Sequence, residues 1–167
     1  MPMKPRKQRA PKATRPNMPD YGVSGRAKGL LPWKWAETRL RKSRQYWIST
    51  SRPDGRPHVM VIWGLWKDGG FYFSTGETSR KARNLKANPW CVIGSEQAEQ
   101  AVIVEGRAER VTDAALRKSV GKAYGRKYKM DMEGFTEPMY VVRPRVAFGL
   151  WEKKFVNTAT RWLFGKE

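Results

Sequence analysis

The residues best suited to chemistry lie within Phe71 to Pro89, FYFSTGETSRKARNLKANP. Thr78-Ser79 is a helix N-cap, residues 80–86 suit a short helix, and Pro89 closes it. The first turn of a helix carries unpaired N–H groups and the positive end of the dipole, so a helix built for stability places acids there. Arg80 and Lys81 reverse that order. Such a turn is either a solvated surface or the seat of an anion, and a phosphate would gain charge-assisted hydrogen bonds from Ser79, Arg80 and Lys81. Just upstream, Phe71-Tyr72-Phe73 reads as a pleated, half-buried strand, and Ser74-Thr75-Gly76-Glu77 as a polar turn.

Other elements must hold this seat in place. Trp33 to Ser43 follows Pro32 with apolar residues at 33, 36 and 40, the pattern of an amphipathic first helix. The turn Pro53-Asp54-Gly55 pairs strand Tyr46–Ser51 antiparallel with Pro57–Trp66. A second turn, Lys67-Asp68-Gly69-Gly70, returns the chain into Phe71–Thr75, so a three-stranded meander is expected. Strands Trp90–Ser95 and Ala101–Val111 follow, the latter with a bulge at Glu105-Gly106. Thr112-Asp113 caps a helix from Ala114 to about Tyr124, whose basic extension reads as a solvated face. Met139–Val142 and Arg145–Trp151 are closing strands broken by Pro144, and Thr160–Phe164 is too apolar to dangle. The whole is mainly β, of the α+β class.

The bounds on function are narrow. The chain has 167 residues, enough for one domain, with a single cysteine and a single histidine. Zinc and Cys-His chemistry are therefore nearly excluded, no metal site is expected, and Cys91 in its apolar run reads as an inert buried thiol suited to a reducing cytoplasm. No apolar run reaches membrane-spanning length, and the N-terminus lacks the apolar stretch of a signal peptide. Residues 1–20 combine five prolines and six basic residues with Asp20 alone in opposition, a composition expected to be a mobile tail. The formal charge of +19 is nevertheless spread along the chain, and it attracts polyanions, nucleic acid included, without choosing among them.

Read together, RPDGRPHVMVIWGLWKDGGFYFSTGETSRKARNLKANP, the strand Val102–Val111 and the terminal TATRWLF resemble the pyridoxamine 5'-phosphate oxidase-like split-barrel family, in its FMN- or deazaflavin (F-420)-dependent oxidoreductase branch of actinobacterial type. The resemblance implies a six-stranded antiparallel split β-barrel with flanking helices over residues 21–167. It also implies a homodimer with cofactor sites at the interface, and hydride transfer between bound F-420 or FMN and a small organic substrate. By the same resemblance His58, Val59, Met60 and Val61 border the ring, and Ser74 and Thr75 approach the cofactor's side chain. Ser79, Arg80 and Lys81 would bind its phosphate, with Arg161 and Trp162 also near the cofactor, in their own subunit or across the dimer; no residue is assigned a catalytic role. Of Trp63 and Trp66, which differ in strand parity, at most one would face the ring. The family's vitamin B6 oxidases end in Arg-x-His, whereas this chain has Arg161-Trp162-Leu163, which argues against that substrate. Two other readings stand beside this one: a nucleic-acid-binding module using Tyr124 and Tyr128 for stacking, and a cofactor or haem carrier with His58 as axial ligand.

Overall fold

A computed structural model describes residues 10–165. Its centre is an antiparallel sheet. Strand β2 (Tyr46–Ser51) lies between β3 (Pro57–Ile62) and β6 (Trp90–Ser95), and β6 pairs with β7 (Gln100–Arg110). β7 in turn runs the length of β8 (Met139–Trp151). The other edge of β8 is divided: Met139–Val142 takes β5 (Gly70–Ser74), and Val146–Gly149 takes β9 (Thr160–Leu163). This division makes the fold an antiparallel split barrel, built from nine strands among the described residues rather than the six expected. The additional short strands include β1 (Lys12–Thr14) on β9 and β4 (Leu65–Lys67), which forms a hairpin with β5.

Local chemistry explains where the chain bends. The register shifts between Glu105 and Gly106, as the sequence suggests, and a Cβ on Gly106 would stand 2.2 Å from the carbonyl oxygen of Arg143. Only glycine permits that approach. Pro144 faces this bulge, so its missing N–H disturbs little, and β8 passes through it as one strand instead of two. The expected meander is also corrected. A Cβ on Gly64 would lie 2.0 Å from the Phe71 ring, so the chain turns over that ring, β3 ends at Ile62, and β5 pairs with β8 instead of β3.

The main core fills the inner face with Tyr46, Ile48, Phe71, Phe73, Val104 and Trp162, closed by Ala36 and Leu40 of α1 (Trp33–Lys42) and Leu85 of α2 (Arg80–Ala87). α3 (Ala114–Tyr128) is capped by Asp113 and runs a turn beyond its expected end. It covers a second cluster containing Tyr72, Val120 and Val141. β5 is consequently buried on both faces, where a half-buried strand was expected. A short α4 (Phe155–Thr158) leads into β9. No helix among the described residues is long and apolar enough to cross a membrane.

The mobile tail expected for residues 1–20 is corrected where it is described, at residues 10–20; residues 1–9 lie outside the described residues. Lys12–Thr14 completes the edge of β9, and Pro16 is buried. Arg15 donates to the carbonyls of Arg26, Ala159 and Asn157 at 2.9, 2.8 and 2.6 Å, and also to that of Lys28. A guanidinium with five donors thus satisfies loop carbonyls that have no ladder of their own.

The end of α3 is pinned by a buried polar knot. Lys127 Nζ donates to Tyr46 Oη at 2.7 Å and to the Gly64 carbonyl at 2.8 Å, while Tyr128 Oη accepts from Gly64 N at 2.9 Å. Burial lowers the Lys127 ammonium from 10.5 to about 8. Because the unfolded state then binds the proton more tightly, folded stability is penalised below that value and recovers as pH rises. Denaturation of wild type and Lys127→Met across pH 7–11 should show the wild type gaining on the variant between about pH 8 and 10.5. A constant difference would mean that Lys127 is not desolvated.

Candidate anion-binding site

Ser79 caps α2: its Oγ accepts from Ala82 N at 3.2 Å and lies 3.0 Å from Thr75 Oγ1, while Thr75 is itself buried. The helix is held down by Ala82, Leu85 and Asn84, the last fully buried with Nδ2 donating to Thr50 Oγ1 at 2.9 Å. Thr50 stands opposite His58 in the β2–β3 register, so the helix that carries Arg80 and Lys81 is bolted beside His58. Asn84→Leu, which leaves the Thr50 hydroxyl buried and alone, should cost about 1–3 kcal/mol in urea unfolding. A stability loss below that range would mean the bolt carries no load.

The electrostatics are predominantly cationic. His58 is held below the ordinary imidazole range by burial, and then by the fields of Arg52, Lys81 and Arg80. Burial also lowers Lys81. Buried His58 Nδ1 and Arg52 Nε have no hydrogen-bond partner. Asp54 feels Arg52 and Arg80 but is ion-paired with Arg56 at 2.8 Å, and Glu77 takes Arg110 at 3.0 Å. Among the described residues, Arg52, Arg80 and Lys81 form no ion pair. A cluster of cations with two orphaned buried nitrogens is a site for an anion with several acceptor oxygens.

Beside the cations the sheet presents an apolar outer face. Val59 and Val61 are 49% and 44% exposed on that face, and Trp47 and Trp90 are exposed with them, whereas Met60, 46% exposed, stands opposite Ile48 and points to the other face with His58. Trp47 stands across from Val61, and Ser49 lies between Val59 and Val92.

Of the residues singled out by sequence, His58, Arg80 and Lys81 converge through their fields, and Thr75 joins through Ser79. Val59, Met60 and Val61 follow His58 along the same strand. Ser74 departs: its Oγ donates to the Pro138 carbonyl at 2.7 Å. Arg161 lies at the opposite end of the strand order, with Nε on Thr14 Oγ1 at 3.1 Å. Trp162 is corrected outright. Its side chain is fully buried, edge-on to Trp33 at 5.2 Å, and packed where a Gly149 Cβ would be, so it has no face left for a cofactor. Of the 63–66 pair, Trp66 is core, whereas Trp63 is 44% exposed with one face stacked on Tyr128 at 4.6 Å. That stacking, with Tyr128 buried, also removes Tyr128 from any base-stacking role. Arg52 and Asn84 are the residues that sequence reasoning overlooked; Arg52 sat unremarked at the entry to a turn read only for its Pro-Asp-Gly.

The chain is thus a split barrel in which the start of α2, carrying Arg80 and Lys81, packs beside β2. Residues 33–155 match the pyridoxamine 5'-phosphate oxidase family, and the chain belongs to that family. It is 32% identical over 129 residues to the pyridoxine/pyridoxamine 5'-phosphate oxidase of Bacteroides thetaiotaomicron, covering 72% of this chain and 55% of that protein. It is 42% identical over 72 residues to the Myxococcus xanthus enzyme of the same name, covering 40% and 34%. The chain thus spans a third to about half of the length of the curated relatives it matches. Among solved structures, a conserved hypothetical protein of Mycobacterium tuberculosis superposes with a TM-score of 0.68 at 23% identity, covering 77% of this chain and 90% of that one. An F420 reductase superposes with a TM-score of 0.53 at 25% identity, covering 66% and 94%. A heme storage protein of Vibrio cholerae does so with a TM-score of 0.58 at 20% identity, covering 69% and 90%.

Proposed function

We propose that this protein is an oxidoreductase that binds F-420 or FMN and passes hydride between it and a small organic molecule. The observation that carries the reading is the convergence of Arg52, Arg80 and Lys81 on His58, none of the three ion-paired among the described residues. The residues suit the phosphate of either cofactor: two cations at a helix start, and buried nitrogens of His58 and Arg52 lacking acceptors. The bound ring would supply the hydride chemistry, and the chain's contribution is orientation and charge. Exposed Met60 lies on the same face of β3 as His58 and offers apolar surface beside the seat, while Val59 and Val61 are exposed on the opposite face of the strand. The more acidic deazaflavin suits a chain of +19 better than FMN does, and the relative named F420 reductase agrees with that preference.

The test is a fluorescence titration of the full chain with FMN and with F-420 at moderate salt. Saturable binding of one or both is expected, with F-420 affinity falling more steeply as salt rises. No saturable binding of either ends the reading. A haem-carrying role draws on the heme storage relative and on His58 as sole histidine. Haem added in the same assay should leave the Soret band of free haem unchanged, whereas a His-ligated spectrum that is lost in His58→Ala would replace our reading.

The working unit in this proposal is a homodimer whose subunits meet through the outer face around Trp47, Val59, Val61 and Trp90. An apolar patch of this kind marks an interface. Charge placed at its centre, in Val61→Glu with Trp47→Glu, should convert a dimer to a monomer in light scattering and weaken cofactor binding with it. A variant that remains dimeric would show that the contact lies elsewhere. A cytoplasmic location accords with the single, unpaired Cys91, whose thiol burial pushes up to about 12.

A further inference from the structure

A cavity lies on the far side of β5 from the main core, between α3 and the segment 130–136. It measures about 850 Å³, within the range of small-molecule sites. Met130, Met132 and Phe135 form its apolar lining, and methionine makes such a surface adaptable in shape. Lys118, Lys122 and Arg126 stand exposed along the helix side of the same cavity, and among the described residues none has an ion-pair partner. Asp131 and Glu133 also line it, but Asp131 is turned onto its own loop, accepting from Glu133 N at 2.9 Å.

Two helix glycines face this space, at a spacing of four residues. Glycine inside a helix is destabilising and asks for a reason. Gly125 has one in packing, because a Cβ there would meet the Met130 carbonyl oxygen at 2.7 Å. Gly121 has none: a Cβ there would find only Met132 Cβ, at an ordinary 3.9 Å. What its missing side chain provides is room within the cavity.

We propose that this cavity binds a monomeric anionic amphipath, an apolar body of acyl-chain type carrying a carboxylate or phosphate, with the body against Met132 and Phe135 and the anion on Lys122 and Arg126. The apolar lining excludes a purely ionic ligand, and the unpaired cations select the sign of its head. The site is distinct from the cation cluster on α2 and requires no cofactor.

The probes are sodium dodecanoate and dodecyl phosphate, below their micelle concentrations, titrated calorimetrically into the cofactor-free full chain. Inorganic phosphate and dodecyltrimethylammonium are the controls. Near-stoichiometric binding of both anions is expected, with neither control competing. Lys122→Glu with Arg126→Glu, both on the surface, should weaken binding at least about tenfold. Gly121→Leu should do the same by filling the space, while Gly121→Ala raises the melting temperature of the free protein. FMN and F-420 titrations should be unaltered in all of these variants, which separates this proposal from the redox reading. Absence of binding by either anion, equal binding of the cationic probe, full affinity in the charge-reversed pair, or capture only by anionic vesicles would each overturn it.

Discussion

Arg80→Glu with Lys81→Glu is expected to weaken FMN or F-420 binding by at least about 100-fold, because each charge-assisted hydrogen bond to phosphate contributes about 1.5–3 kcal/mol and the reversal adds repulsion. The same pair should leave the free protein as stable as wild type or more so. Glutamates in the first turn of a helix complement the dipole by about 0.3–1 kcal/mol each, and the present cations oppose it. Opposite signs for affinity and stability are the signature of a turn shaped for a ligand; if the helix start were only a solvated surface, stability would rise and binding would stay put. His58 reports on the same event. Its imidazole now sits below the ordinary range because of burial and its cationic neighbours, so it is neutral at pH 7. An anion arriving beside it raises its proton affinity, and cofactor binding should tighten as pH falls through the titration of the bound imidazole. Proton NMR of this single histidine would show the shift, and its absence on adding ligand would place the ligand elsewhere.

Trp162→Ala should be the most destabilising of the substitutions considered, costing about 3–5 kcal/mol in urea unfolding, because it empties a fully buried volume shared with Trp33 and Phe164. Trp162→Phe, which keeps an aromatic ring in the same place, should lose markedly less. Where the folded fraction of either variant can be titrated, its cofactor affinity should match that of wild type. A Trp162 that served the cofactor would give the reverse: near-normal unfolding and a large loss of affinity.

These two predictions also divide what was readable in the chain from what was not. The cap at Ser79, the reversed charge at Arg80-Lys81, the bulge at Gly106 and the hairpin turn at Asp54-Gly55 are local statements, made by residues within one turn or one pleat of each other. The helix ends that they set agree with the structure to within a few residues. Trp162 was misassigned for the opposite reason. An Arg-Trp pair at a docked terminus suits an interface as well as a core, and only the pairing of Ala147 with Trp162 across β8 and β9 turns the ring inward.

Amino-acid order by itself determined the mainly β class, most of the strands and helices, and the reversed charge at the start of α2, because capping, turn geometry and helix dipoles act over a few residues. Tertiary structure decided which strand β5 joins, that residues 12–14 are an edge strand, that Arg52 completes the cation cluster, and that Gly121 opens onto a cavity. Each of those depends on residues far apart in the chain meeting at van der Waals or hydrogen-bonding distance, and no local preference encodes which of the available partners will be there.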